Sequence, residues 1–277
     1  MYKILLRQDL APNIHLFKIE APSIAKKAQA GQFVIVRVDE KGERIPLTIA
    51  DWNRDEGSIT VVFNKVGKTT SKLAMLKEGD FITNFVGPLG LPAHIEKFGT
   101  VVCVVGGYSV ATIVPVVRAL KEAGNTIISI IRAPNRETLF GEKQLGSLSN
   151  ELIIVTGDIS FGHDGFIIEP LKEVLNNKKV DLVITVGPTC VMKLVAAISK
   201  PFGVKTIASL NPIMVDGTGM CGCCRVTVGN TTRFACVDGP AFDAHEVDWY
   251  SLMARRCTYS GDMQPRLQYQ CRNCAQW

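Results

Sequence analysis

The chain has 277 residues, 47% of them hydrophobic, and a net charge of +5. That length accommodates two domains and an extension. Its basic residues are scattered and form no run, which argues against a nucleic-acid arm.

Residues 98–117 carry no charge and are long enough to span a bilayer. Gly106-Gly107 and Ser109 interrupt the stretch and Pro115 lies near its end, so it reads as strand, turn and helix start, with no membrane span expected. Lys3 and Arg7 break up any signal-peptide pattern at the start. Nine cysteines are an odd count for a disulfide framework, and Cys221, Cys223 and Cys224 crowd too closely to pair with one another. A cytoplasmic protein with free or metal-bound thiols is expected.

In chain order, residues 1–97 show short apolar runs at 3–6, 14–19, 33–38, 47–50, 59–63 and 81–85. Turn signals such as Ala30-Gly31 and Glu56-Gly57 separate many of them, which predicts a small antiparallel β-barrel. From 98 to 210 the rhythm becomes strand, helix, strand. Strands are expected at 101–105, 126–131, 152–156, 182–186 and 204–209, and helices at 110–123, 168–175 and 190–198. This is the pattern of a Rossmann-like α/β domain with a parallel sheet. Residues 211–277 form a third, cysteine-rich segment, with short strands at 225–228 and 233–235 around Gly229-Asn230.

That segment holds the most informative motif, Asp216-Gly-Thr-Gly-Met-Cys221-Gly-Cys223-Cys224 with Cys236 beyond it. Plant-type [2Fe–2S] proteins use C-x4-C-x2-C and a later cysteine. Here Asp216 stands at the first position, and a carboxylate is a harder donor than a thiolate. The candidate ligands are Asp216, Cys221, Cys224 and Cys236, and Cys223 is read as pointing away. Zinc held by the four cysteines, or no metal at all, are the alternatives; C-x-C-C fits the paired knuckles of structural zinc poorly.

Three weaker patterns accompany it. Arg44-Ile-Pro46-Leu47-Thr48 puts a cation and a hydroxyl at a strand start, and Gly67-Lys68-Thr69-Thr70 opens a helix of the kind that binds phosphate. A surface charge and a plain helix cap would look the same. Gly106-Gly107 follows the 101–105 strand and Gly187-Pro188 another, both at the edge where open sheets bind nucleotides, but G-x-G-x-x-G is absent. Cys271-Arg-Asn-Cys274, with Cys257 upstream, is half a metal site, a redox pair or an unligated tail. The four histidines, His15, His94, His163 and His245, are dispersed.

Taken together these motifs resemble the ferredoxin–NADP reductase superfamily, in the branch of dihydroorotate dehydrogenase electron-transfer subunits. Within it the chain is similar to the small-subunit family of NADH-dependent ferredoxin:NADP oxidoreductases, also called sulfide dehydrogenase small subunits. The segments Asn211–Gly222 and Phe234–Pro240 carry the resemblance most specifically. It implies an FAD-binding barrel, a pyridine-nucleotide domain and a [2Fe–2S] cluster on one aspartate and three cysteines. Thr48 would sit near the flavin ring, on a strand with Arg44, Pro46 and Leu47. Val66, Gly67, Thr69 and Thr70 would lie by its phosphates, and Gly106, Gly107, Gly187 and Pro188 by a nicotinamide dinucleotide. Leu47 replaces the superfamily's aromatic residue, Arg44 is one residue farther from Thr48 than usual, and Met192 follows Gly187-Pro188 without the expected preceding cysteine. Tyr108 stands in a shortened turn, where the relatives have more glycine.

The implied function is an oxidoreductase subunit. It passes electrons between NAD(H) or NADP(H) and a larger flavin and iron–sulfur subunit, with ferredoxin as a further partner. The alternatives are a relay without nicotinamide, a subunit feeding dihydroorotate or another dehydrogenase, and a zinc-stabilised nucleotide-binding module with no redox role.

Overall fold

The computed structural model of the chain describes residues 1–157 and 167–256, in two units. Cys257, Cys271 and Cys274, and His163, lie outside the described residues.

The first unit combines Met1–Ala93, Asn211–Pro240 and the described residues from Asp248 on. Its main strands are β1 (Tyr2–Ala11), β2 (Ile14–Glu20), β3 (Phe33–Arg37), β4 (Arg44–Asn53), β5 (Ser58–Asn64), β6 (Phe81–Ile82) and β7 (Asn84–Leu89). Two short helices, α1 (Pro22–Ala25) and α2 (Lys68–Leu73), interrupt them. The strands form one antiparallel sheet in the order β6-β1-β2-β5-β4-β3-β7. Only Thr83 separates the two edge strands in the chain, so the sheet must curl until its edges approach. The Thr83 N–H and hydroxyl both donate to the Val38 carbonyl, at 3.2 and 3.1 Å. The result is the near-closed barrel that the alternating runs predict.

Alternation along the strands fills the barrel with Phe17, Ile19, Ile49, Ile59, Val61 and Phe63. Phe17 and Phe63 meet edge to face with centroids 5.1 Å apart, a geometry favoured by the ring quadrupoles. Strand β3 is buried on both sides. Val34 and Val36 join the barrel core, whereas Phe33 and Ile35 are buried on the other face. The Asn211–Pro240 segment lies against that face, as the site geometry below shows.

The second unit is His94–Leu210 with Ala241–Val247. It contains β8 (Thr100–Gly106), α3 (Val110–Glu122), β9 (Thr126–Ala133), α4 (Glu142–Leu148), β10 (Glu151–Thr156), α5 (Ile168–Asn177), β11 (Leu182–Val186), α6 (Thr189–Ser199) and β12 (Thr206–Ser209). The strand order is β10-β9-β8-β11-β12, all parallel. The chain therefore steps outward from β8 to β10 and then restarts on the other side of β8. That reversal creates a switch point between β8 and β11. Val102 and Val104 face α5 and α6, and α3 and α4 pair on the opposite side.

In the first unit, β13 (Arg225–Val228) and β14 (Thr231–Phe234) form a hairpin packed by helix α7 (Trp249–Arg256). Between them in sequence and α7, the chain adds the short strand β15 (Ala241–Asp243) antiparallel to β12. His245 Nε2 lies 3.1 Å from Ser199 Oγ, which also accepts a 2.6 Å bond from Thr206. This local network fastens the returning segment.

Phe17→Ala should cost about 3–5 kcal/mol of stability, the usual toll of deleting a buried ring. Chemical denaturation of the barrel, followed by tryptophan fluorescence, measures it. A loss below about 1 kcal/mol would contradict the packing described.

Candidate functional site

Three clusters of predicted site residues can be built from the fold. In the cysteine loop, Gly217 has φ +78°, and a Cβ there would stand 2.7 Å from Leu89 and 2.8 Å from Ile35. The backbone thus lies directly on the outer face of β3 and the end of β7, where only glycine fits. The far end of the segment is pinned as well: the Leu91 N–H donates to the Gly239 carbonyl at 2.6 Å.

Asp216 caps this loop. Its carboxylate accepts from the N–H groups of Thr218, Met220 and Cys221 at 3.1, 3.0 and 2.9 Å. Burial alone would push the carboxyl up. The Thr218 N–H, the Cys221 thiol and the N–H groups of Cys221 and Met220 outweigh that effect and bring its pKa down to about 2. Successive N–H groups converging on one anion form a nest.

The cysteines fall beside it in pairs. The sulfurs of Cys224 and Cys236 are 3.2 Å apart and both residues are buried. Burial first, then the Cys224 thiol, pushes Cys236 up to about 12, while the Gly219 N–H aimed at it acts in the opposite direction. Cys221 is exposed and bonds Asp216 through its thiol. For Cys223, a hydrogen bond with Cys221 first and burial second raise the thiol's pKa. Among the described residues no three His, Cys, Asp or Glu side chains converge on a single metal position. The four predicted donors instead form two pairs, Asp216 with Cys221 and Cys224 with Cys236.

Backbone clamps hold these pairs. Asp238 accepts from the Phe234 N–H at 2.7 Å and so shapes the turn carrying Cys236. The Ala235 N–H donates to the Cys224 carbonyl at 3.1 Å. Arg255 Nη2 donates to the Cys223 carbonyl at 3.0 Å. Asp238 lies in the Phe234–Pro240 segment that the sequence singles out, but its bond to the Phe234 N–H is not written there. Arg255 lies 32 residues from its partner, so no local pattern could reveal it.

The second cluster lies on the barrel. Register pairs Phe33 with Thr48, Ile35 with Pro46 and Arg37 with Arg44. These six share the outward face, while Leu47 joins the barrel core. Arg37 and Arg44 are therefore like charges directly opposed, an arrangement that is unfavourable unless an anion relieves it. Sequence reasoning missed Arg37, because its partner becomes visible only through the strand register. At α2 the Thr70 hydroxyl accepts from the N–H groups of Val66 and Gly67, both at 3.0 Å. Buried Thr69 donates to Glu43 at 2.7 Å. Both hydroxyls thus serve the protein. The space above Gly67 is open, leaving its backbone approachable.

The third cluster occupies the switch point. Gly106 ends β8 and Gly187-Pro188 follows β11. A Cβ on Gly187 would lie 3.1 Å from the Gly106 nitrogen, and one on Gly106 would lie 2.9 Å from Pro188. The two glycine turns therefore meet. Nothing lies within 4 Å of a Cβ on Gly107. Tyr108 is 41% exposed beside it. Met192, fully buried, donates its N–H to the Pro188 carbonyl at 3.1 Å.

The iron–sulfur cluster binding domain of dihydroorotate dehydrogenase B matches residues 211–248. The chain is 46% identical to an uncharacterized protein from the adh 3' region of Clostridium beijerinckii, over 94% of this chain and 90% of that one. It is 45% identical to the dihydroorotate dehydrogenase B (NAD(+)) electron transfer subunit homolog of Thermotoga maritima, over 93% of this chain and 91% of that one. The chain belongs to the dihydroorotate dehydrogenase B electron transfer subunit family. A solved chain of an NADH-dependent reduced ferredoxin-NADP oxidoreductase, described in the context of flavin-based electron bifurcation, superposes with a TM-score of 0.90 and 42% identity. The match covers 98% of this chain and 97% of that one. The domain matched at 211–248 spans all three cysteines of the two pairs and Asp216.

Thiol chemistry tests the geometry of this electron transfer subunit homologue. In metal-free protein near neutral pH, iodoacetamide should label exposed Cys221 first. Cys103 and Cys236 should react last, since burial raises both to about 12 and keeps them as unreactive thiols. Labelling of these two should accelerate as the pH rises toward that value. Asp238→Ala should free the turn and speed the labelling of Cys236 alone. Peptide mass spectrometry reads the order, and uniform labelling would contradict it.

Proposed function

We propose that this chain is the flavin and iron–sulfur electron-transfer subunit of a larger oxidoreductase. It would carry electrons between a nicotinamide dinucleotide and a partner subunit through FAD and a [2Fe–2S] cluster. The observation that carries this is a shared platform. Ile35, on which Gly217 rests, is in register with Pro46 of the candidate flavin strand. The cysteine loop and the candidate flavin strand would thus share one face of one barrel.

The donor set fits a two-iron cluster. A single tetrahedral zinc draws four ligands to one point, whereas two irons need two ligands each. Asp216 and Cys221 would hold one iron and Cys224 and Cys236 the other. Three thiolates and a carboxylate supply the negative charge, and the Gly219 N–H already points at a sulfur. Arg37 and Arg44 would hold the flavin's phosphates, with the open space at Gly67 beside them. Thr48 would face its ring system. Bound flavin accepts electrons in pairs and releases them one at a time.

Gly106, Gly107, Gly187 and Pro188 would accommodate NAD(H) or NADP(H). The mutual approach of the two glycine turns and the open space at Gly107 support this reading. Tyr108 beside that space supports the second reading, a relay without nicotinamide. The names of the relatives support a larger partner subunit, with ferredoxin as a further electron carrier in the assembly.

Anaerobically purified holoprotein should contain about one FAD and two iron atoms per chain. A colourless protein without flavin or iron would end the proposal. Arg44→Ala should lose most of its flavin and keep its iron. Asp216→Cys should keep its iron with altered visible and EPR spectra; identical spectra would remove Asp216 from the ligand set. Anaerobic titration with NADH and NADPH separates the two nicotinamide readings: bleaching of the flavin by either favours the first, and by neither the second.

A further inference from the structure

Two arginines act on consecutive peptides of the cysteine loop. Arg225 Nη1 donates to the Gly222 carbonyl at 3.1 Å, and Arg255 Nη2 donates to the Cys223 carbonyl at 3.0 Å. These carbonyls belong to the peptides joining Gly222 to Cys223 and Cys223 to Cys224. In a trans peptide the N–H points opposite to its C=O. Turning both carbonyls toward guanidinium groups therefore turns the N–H groups of Cys223 and Cys224 the other way. No other described residue accepts from either N–H. Each guanidinium spends one of five donors on this task and stays charged at every accessible pH.

We propose that Arg225 and Arg255 are positioning residues that raise the reduction potential of the site held by Asp216, Cys221, Cys224 and Cys236. The inference rests on the cluster reading above and deepens it. Reduction adds one negative charge to a site that already gathers three thiolates and a carboxylate. Two fixed cations within a hydrogen bond of the loop favour the reduced state, and so do N–H dipoles aimed away from those cations. Arg255 is half-buried and Arg225 is exposed. Solvent and salt screen an exposed charge more strongly, so Arg255 has the larger effect. Asp238, the carboxylate in the turn that carries Cys236, accepts from the Phe234 N–H. It sits opposite in sign to the arginines and does not replace them.

The test is an anaerobic, EPR-monitored redox titration of the holoprotein and its variants. Arg255→Gln keeps a donor and removes the charge. At fixed ambient potential its reduced-to-oxidised ratio should fall about tenfold, equivalent to about 59 mV for one electron. Arg225→Gln should fall about threefold, and that shift should shrink at high salt. Arg255→Lys keeps the charge and should stay near the unmodified midpoint. An unchanged or raised midpoint in Arg255→Gln overturns the inference, as does a fall in Arg255→Lys equal to that in Arg255→Gln. If Arg255→Gln fails to retain iron, Arg225→Gln decides by the same criterion. Absence of iron and of an EPR signal from the unmodified protein is a separate outcome, which overturns the cluster reading and this inference with it.

Discussion

Gly217 touches Ile35 and Leu89 where any side chain would collide with them. That contact joins the cysteine loop to the barrel, and much of the candidate site depends on it. A loop of glycine, cysteine and aspartate has little apolar surface of its own and could not hold its shape in isolation. Resting on a strand, it inherits the rigidity of the barrel. The Leu91–Gly239 bond fixes its far end to the same strand edge. Between these anchors Asp216 gathers three loop N–H groups, and Asp238 shapes the turn of Cys236.

The barrel meets this demand through β3, whose two faces serve different masters. Val34 and Val36 close the barrel interior, and Phe33 and Ile35 form the platform outside it. A strand buried on both faces loses the simple alternation of a solvent-facing strand and reads as a continuous apolar run. The run at 33–38 shows this. The same outward face carries Arg37, Arg44, Pro46 and Thr48 by register. One strand pair thus organises both the iron-binding candidates and the flavin-binding candidates.

The second unit solves a different problem. Its parallel strands place the ends of β8 and β11 side by side, and the chain order makes them the switch point. Gly106 and Gly187 can meet only because neither has a side chain. Strand β15 completes that sheet from a distant part of the sequence, held through His245, Ser199 and Thr206. His245 meets Ser199, 46 residues away, a pairing that local spacing does not mark.

Local signals made much of this protein legible from its residues alone. Alternating runs foretold the barrel, the β-branched runs foretold the parallel sheet, and the spacing of Asp216, Cys221, Cys224 and Cys236 singled out the cysteine loop. Each depends on periodicity or on short spacing, which the linear chain carries in full. Tertiary structure alone decided the rest. It paired the donors two by two, brought Cys223 against Cys221, and set Arg37 opposite Arg44. It also put Arg255 on the Cys223 carbonyl and laid Gly217 on Ile35. Those relations join residues far apart in the chain, or depend on strand register and backbone direction, and neither is fixed until the strands have paired and the loop has settled on the barrel.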